Sequence, residues 1–454
     1  MTSWAHDAVF YHLYPLGVLG APPQNDGTGA PVARLDGLHA WLDVMDSLGA
    51  TAVLLGPVFE SSTHGYDTAD YLAVDRRLGD RDALARFSEA VHRRGFRLVL
   101  DGVFNHVGRD FWAFRDVRAC GSASPYRHWF FLDFGRVSPY GDSFHYEGWN
   151  KHYDLVKLDV RHHEVREHLF EAVRTWMEVF GIDGLRLDAA DHLDRGFQRD
   201  LARFCRAARP DFWLMGEVIH GDYRLWAGPD ALDAVTNYEL YKGLYSSHND
   251  ANYFEIAYSL DRQFGAQGLY AGLPLYTFAD NHDVDRIATR LEHPAHVYPL
   301  HVLLFTVPGV PSVYYGSEWG IEGRKGRGTD APLRPAVTPG ELPARATHPD
   351  LRRAVTTLIR LRRSHVALRR GSYRPVHVGH LQFAFERATL EERIVVAVNA
   401  ADQPVELELH VPGVNDGELV DVLDGGVTFA ARAGRARIEL QACWGRILKW
   451  IPAA

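Results

Sequence analysis

Residues 165 to 192 read VREHLFEAVRTWMEVFGIDGLRLDAADH. Val165, Leu169, Val173, Trp176 and Phe180 recur at intervals of three and four, the spacing that lines one face of a helix. Gly181 follows, a residue that closes a helix in the left-handed conformation without a Cβ penalty. Leu185 to Leu187 then form an apolar run too short for a helix, which reads as a buried strand. Asp188 ends the run. An amphipathic helix, a tight turn, a buried strand and an acid at its carboxyl end make one unit of an alternating α/β architecture.

The same unit recurs on both sides. Upstream, strand readings fall on Val9–Leu13, Ala52–Leu55 and Arg97–Leu100. Leu35, Leu38, Trp41, Leu42, Met45 and Leu48 give a helix stopped by Gly49. Leu84, Phe87 and Val91 give another, capped by Asp80 and stopped by Gly95. Downstream, Phe212–Met215, Ala234–Thr236, Leu275–Phe278 and Val310–Tyr315 supply four more strands. Eight strands with helices between them predict a parallel sheet closed into a (β/α)8 TIM barrel. Leu300 to Tyr315 is the most apolar stretch, but His301, Pro308 and Pro311 interrupt it, so it reads as a buried helix followed by a strand.

Two regions break the rhythm. Between His106 and about Asp154 no clean helix is visible, and aromatic residues crowd the stretch, Trp112, Trp129, Phe144, Tyr146 and Trp149 among them. It reads as a subdomain, domain B, inserted after the third strand. Most of its rings are expected to form its own core. From about Gly371 the period changes to two, as in Leu381, Phe383, Phe385 and Ile394, Val396, Val398. This predicts a C-terminal antiparallel β-sandwich. The expected division is a barrel at 1–106 and 155–370, domain B at 107–154 and the sandwich at 371–454.

Of the 454 residues, 46% are hydrophobic and 24% charged, a composition that supports a large core. The formal net charge of −9 disfavours nucleic acid and anionic membranes as partners and suits a neutral small-molecule substrate. Three scattered cysteines, with no C-x-x-C pair, suggest neither a disulfide framework nor a zinc site. With no basic and apolar leader in Met1 to Asp7, the expected location is the cytoplasm. Nothing in the pattern speaks to oligomeric state.

In such a barrel the active site lies at the carboxyl ends of the strands. Acids stand there repeatedly: Asp101 in DGVFNH after strand 3, Asp188 in GLRLDAADH at strand 4, Glu217 in MGEV at strand 5 and Asp283 in FADNHD after strand 7. Cleavage of a glycosidic bond with retention needs an ionised carboxylate near the anomeric carbon and a protonated carboxyl beside the leaving oxygen. Arg186, two residues before Asp188, shares its face of the strand and is expected to keep it ionised. Negative neighbours are expected to raise Glu217.

These four runs, in this order, resemble the ordered sequence regions of the α-amylase superfamily, glycoside hydrolase family 13. GVPSVYYGSEWG at Gly309–Gly320 and STHGYDTADY at Ser61–Tyr71 are similar to further segments of it. The resemblance spans the whole chain and implies a glycosidase. Asp188 matches the family's nucleophile, Glu217 its acid/base and Asp283 its third carboxylate. Arg186 matches the arginine beside the nucleophile. His106 and His282 match histidines that bind the sugar, Tyr66 the tyrosine that stacks on it, and Asp101 a structural aspartate at the site's base. Arg286 either reaches the site or pairs with an acid.

LVKLD at Leu155–Asp159 resembles the MPKLN segment of the cyclomaltodextrinase and neopullulanase group, whose N-terminal β domain is not expected here. Asp191 stands where many α-amylases carry a lysine that grips the leaving chain. The implied activity is hydrolysis of α-1,4, and of some α-1,6, bonds in short or cyclic maltooligosaccharides. A transglycosylase on the same intermediate and a catalytically inactive glucan-binding homologue are the alternatives. No cofactor is required by this chemistry. Asn105 matches a calcium ligand of many α-amylases, and Asp110, Asp116, Asp133 and Asp142 lie in domain B, so a structural calcium is left open.

Overall fold

A computed structural model describes residues 3–411 and 413–453. Its central sheet has the eight expected strands: β1 Phe10–Leu13, β2 Ala52–Leu55, β3 Arg97–Gly102, β4 Gly184–Leu187, β5 Trp213–Gly216, β6 Ala234–Val235, β7 Tyr276–Phe278 and β8 Val310–Tyr314. They pair in parallel in the order β6-β5-β4-β3-β2-β1-β8-β7. A parallel bridge between Thr236 and Tyr276 joins the two ends and closes the barrel. The expected helices intervene. Asp80 caps Arg81–Arg93 by accepting from the Ala83 amide, and Gly181, at φ +58°, ends His163–Phe180.

Successive strand residues alternate faces, and this alternation places the site. Phe10, Ala52, Leu54, Val99, Trp213, Met215, Ala234, Tyr276, Phe278 and Val310 pack together as a core distinct from the one under the helices. Two residues further along the same strands come His12, Asp101 and Glu217, while Arg186 and Asp188 follow Gly184 at the same interval. The apolar layers therefore form a floor and the polar side chains a rim above it. Trp213 anchors the floor, fully buried and stacked 5.1 Å from Phe10. Its replacement by alanine would cost about 3–5 kcal/mol, the range for large aromatic deletions.

Asp101 lies within β3 rather than beyond it, because that strand extends two residues past Leu100. Domain B also differs from expectation: it contains a helix, Trp112–Cys120, in which Ala113, Phe114 and Val117 are buried. So short a buried stripe leaves no visible period in the sequence. Phe111, Phe114, Trp129, Phe130, Phe144 and Tyr146 are buried as the subdomain's own core. Its largest sheet pairs His106–Gly108 with His152–Lys157, so the insert's pairing runs to Lys157.

The C-terminal strands are β9 Ser372–Val378, β10 Gln382–Ala388, β11 Arg393–Asn399, β12 Val405–His410, β13 Gly417–Asp421, β14 Thr428–Arg432, β15 Arg435–Leu440 and β16 Trp444–Pro452. They form one antiparallel sheet in the order β9-β10-β11-β16-β13-β14-β15-β12. Ala384, Val395 and Ala397 from one end share a core with Leu407, Leu409 and Ile438 from the other, so both layers of the sandwich come from one sheet. The apolar run at residues 300–315 divides between helix Val297–Thr306 and β8. No helix among the described residues is long and apolar enough to cross a membrane.

Candidate active site

Arg186 organises the rim. Nearly fully buried, it holds Asp101 at 2.6 Å, Glu217 at 2.9 Å and Asp188 at 3.3 Å. This follows from strand register: Arg186 pairs across to Asp101 on β3 and to Met215 on β5, with Leu187 beside Gly216. Asp188 and Glu217 each stand one residue past those paired ends. The Asp188 amide donates to Gly102 O and the Glu217 amide to Leu187 O, continuing the ladder beyond the strands. The Ala189 amide, at φ +45°, donates to Glu217 Oε2 at 3.2 Å.

The electrostatics differ from the sequence expectation. Arg186 was expected to keep Asp188 ionised, and negative neighbours to raise Glu217. Instead the guanidinium spans both carboxylates. Burial, and then the Glu217 charge beside it, push Asp188 well above the usual carboxylate range, against the pull of Arg186. Two acids in one desolvated site under a single shared cation resist double ionisation.

Asp283 behaves oppositely. Burial opposes its ionisation, yet His282 and Arg334 hold its carboxyl far below the usual range. His282 Nε2 lies 2.9 Å from Asp283 Oδ2 and also contacts the Tyr66 hydroxyl, which donates to Asp101 Oδ2 at 3.0 Å. The His282 ring lies between Tyr14 and Tyr66, nearly parallel to both, with centroids 5.7 and 5.5 Å away. His106 Nε2 sits 3.9 Å from Asp188 Oδ2. Burial pushes that imidazole down to about 3, so it stands neutral beside the carboxylate.

The structure thus brings together all eight residues singled out in the sequence: Tyr66, Asp101, His106, Arg186, Asp188, Glu217, His282 and Asp283. It leaves Arg286 out. That side chain is fully buried and donates to the Leu333 and Tyr315 carbonyls and to Ser317 Oγ, bracing the loop after β8 rather than reaching the site or pairing directly with an acid.

Five neighbours were missed. Arg334 donates to Asp283 Oδ1 at 2.9 Å, to the His282 carbonyl and to Tyr14 Oη. Tyr238 donates to Glu217 Oε1 at 3.3 Å and accepts from Asn281. Trp149 of domain B lies 5.7 Å from the His106 ring and 6.2 Å from that of His192, next to Asp191. Tyr14 and His12 complete the set. Two carried a signal: Trp149 stood among the aromatics already noted in domain B, and His12 is a polar residue on the inward parity of β1. Four buried ring nitrogens in and around this cluster have no hydrogen-bond partner: His12 Nε2, His106 Nε2, His282 Nδ1 and Trp149 Nε1. Buried polar atoms in folded proteins are usually satisfied, so unsatisfied ones gathered at a rim mark a place for a polar ligand.

The domain B acids each make a contact of their own. Asp110 accepts from Ser62, Asp116 from Ser124, Asp133 from the Gly135 amide and Asp142 from Arg109, and Asn105 faces the His106 ring. Calcium takes six to eight oxygens around one point, and among the described residues these acids form no group of three that could hold one ion.

A closed parallel barrel with an insert after its third strand and acids on its rim defines the architecture of a glycosidase. Residues 23–356 match the family model described as alpha amylase, catalytic domain, and residues 373–444 that of maltogenic amylase, C-terminal domain. The chain belongs to the α-amylase family. It is 32% identical over 421 residues to a cyclomaltodextrinase of a Bacillus species, covering 87% of this chain and 73% of that one. It is also 32% identical over 469 residues to neopullulanase 2 of Thermoactinomyces vulgaris, covering 98% and 78%. Among solved structures it superposes on a cyclic α-maltosyl-(1→6)-maltose hydrolase from Arthrobacter globiformis, in complex with that sugar, with a TM-score of 0.82 at 26% identity, over 98% of this chain and 99% of that one.

Proposed function

We propose that this protein is a retaining glycoside hydrolase that cleaves α-1,4, and also α-1,6, glucosidic bonds in short or cyclic maltooligosaccharides. The observation that carries the reading is Arg186 in contact with three carboxylates at the barrel mouth, two of them, Asp188 and Glu217, one residue past the ends of adjacent strands. In this reading Asp188 attacks the anomeric carbon while Glu217 protonates the departing glycosidic oxygen. Glu217 then takes a proton from the water that releases the sugar from Asp188.

Asp283, held ionised by His282 and Arg334, accepts hydrogen bonds from hydroxyls of the same sugar. The unpartnered nitrogens of His12, His106, His282 and Trp149 suit a ligand rich in hydroxyls, and Tyr66 offers an aromatic face. Two of the relatives named above carry cyclic maltooligosaccharides in their names and the third pullulan, which supports the same class here. The three cysteines are free, which fits work in a reducing cytoplasm.

The test is product analysis on maltotriose, a cyclodextrin, pullulan, panose and starch, with proton NMR of the earliest products. Two inversions at one carbon release the α-anomer first. A β-anomer appearing first, or no cleavage of any of these glucans, defeats the reading.

A further inference from the structure

Away from these acids, the structure gathers a second set of chemistry-bearing side chains at the seam between the barrel and the C-terminal sheet. His293 precedes and His296 ends the short turn Pro294–His296 that leads into helix Val297–Thr306. Cys443 lies in the turn before β16, and Asp402 in the turn after β11. A ring nitrogen of each histidine and the Cys443 sulfur all lie within 4.8 Å of one another. The Asp402 carboxylate is 3.1 Å from His293 Nε2 and 3.6 Å from Cys443 Sγ. The sequence hides this set, because about 150 residues separate the histidines from the cysteine and no ligand spacing survives such a gap.

Three observations separate it from an incidental cluster. First, His296 is over nine-tenths buried, and its Nε2 lies 2.9 Å from the Ala400 carbonyl, which can only accept. That nitrogen carries the proton, so Nδ1 holds a lone pair. Second, the Nδ1 atoms of both His293 and His296 are buried without any partner. Two adjacent rings, with centroids 4.6 Å apart, each leave a lone-pair nitrogen unsatisfied, at the cost of an unmade hydrogen bond. Third, Cys443 adopts φ +46°, a left-handed conformation uncommon for a residue with a side chain.

We propose that His293, His296 and Cys443 bind a zinc ion that ties the barrel to the C-terminal sheet, with Asp402 accepting from His293 Nε2 to fix that ring. Two imidazoles and a thiolate, with a water oxygen in the fourth position, form a tetrahedral set of the kind zinc takes. Sulfur and nitrogen donors exclude calcium and magnesium, which prefer all-oxygen shells. Ligand atoms around a tetrahedral zinc stand about 3.5 Å apart, so side-chain shifts of about 1 Å would close the site. Binding forms the sulfur–zinc bond and releases the Cys443 proton to solvent, with no change of oxidation state. The ion would act as a cross-link, since its ligands come from two domains.

The experiment uses the full chain, stripped with a chelator and titrated with zinc by calorimetry, and separately loaded with cobalt(II) for absorption spectroscopy. Wild type should take up one equivalent of zinc at micromolar concentration or below, and its cobalt form should show a thiolate-to-metal charge-transfer band. Zinc should block alkylation of Cys443 while exposed Cys120 goes on reacting. Cys443→Ala and His296→Gln should each weaken zinc binding about 100-fold or more, and Cys120→Ala should leave it unchanged. The wild-type spectrum and the alkylation test need no variant, so they decide even if a variant misfolds. Absence of binding, a cobalt spectrum without the thiolate band, or Cys443→Ala binding zinc within about threefold of wild type overturns the proposal.

Discussion

Arg334 Nη2 lies 2.9 Å from Asp283 Oδ1, and Arg334 Nε donates to the carbonyl of the neighbouring His282, so one guanidinium fixes both the charge and the backbone of the third carboxylate. Burial alone would push Asp283 up, whereas His282 and Arg334 bring it far down. Replacing Arg334 by methionine keeps the length and removes the charge. The Asp283 pKa should rise, and the acidic limb of the kcat/KM profile should move to higher pH, with kcat reduced about 10- to 100-fold by the loss of a charge-assisted contact. Arg334→Lys should restore part of the limb. A pH profile identical to wild type would mean that Arg334 only braces the loop.

Asp188→Asn and Glu217→Gln should both fold and both lose activity on maltooligosaccharides. For Glu217→Gln the expected loss is about 10²- to 10⁴-fold. It should shrink on α-glucosides with a good leaving group, such as a nitrophenolate, because these need little protonation. Asp188→Asn should show no such recovery. Near-wild-type hydrolysis by either variant removes the assigned roles.

Glu318 gives a prediction about stability. It is fully buried, accepts from the Tyr11 hydroxyl at 2.8 Å and leaves its second oxygen without a partner. Burial pushes it up to about 7. A carboxyl with a raised folded pKa stabilises the fold fully below its unfolded value near 4.5, and that contribution is lost as pH rises through 7. The interval corresponds to about 3 kcal/mol. Glu318→Gln keeps the acceptor for Tyr11 and cannot ionise, so its melting temperature should fall less than wild type between pH 4.5 and 7. Parallel curves for the two proteins would contradict this.

Trp149 and the acidic Asp191 border the rim where many α-amylases present a lysine. An aromatic ring at the approach favours small sugars, so kcat/KM for maltotriose and a cyclodextrin should exceed that for soluble starch under one condition. Starch preferred by about tenfold or more would indicate an open cleft. Trp149→Ala should raise KM for the small substrates more than it lowers kcat if the ring supplies binding alone.

The eight strands and five of the site residues, Asp101, Arg186, Asp188, Glu217 and Asp283, were legible for a shared reason, while Tyr66, His106 and His282 were legible only through the resemblance of their motifs. A parallel barrel sends every strand's carboxyl end to one rim, and the two-residue period then fixes which side chains look inward. Asp101, Arg186, Asp188 and Glu217 obey that rule, and His12 obeys it too, though its lone position on β1 drew no notice. Arg334 was not legible: it lies in an irregular loop 148 residues beyond Arg186 in the chain, and only folding of the loop after β8 over the rim brings it to Asp283. Tyr14 and Tyr238 sit just past strand and bridge ends, where no period marks them. The roles of Arg186 were half legible, because parity tied it to Asp188 while its second contact, to Glu217, depends on the register of β4 against β5. The histidine–cysteine cluster depends on packing between domains and left no trace in spacing.

The closure of the barrel has a consequence for motion. Seven of its eight seams are ladders, but the eighth rests on the single Thr236–Tyr276 bridge and the Asn237 amide on Tyr276 O. A hoop of this kind has a clasp, and it breathes there first. Across the clasp, on the rim, Asn281 Nδ2 reaches Tyr238 Oη, which in turn reaches Glu217. A sugar lying on Tyr238 and Asn281 would therefore latch the hoop from above. The amides of residues 234–238 should be the barrel strand amides that slow most in hydrogen exchange when a non-hydrolysed maltooligosaccharide analogue is bound, and the tightness of the whole barrel would then report on the occupancy of its mouth.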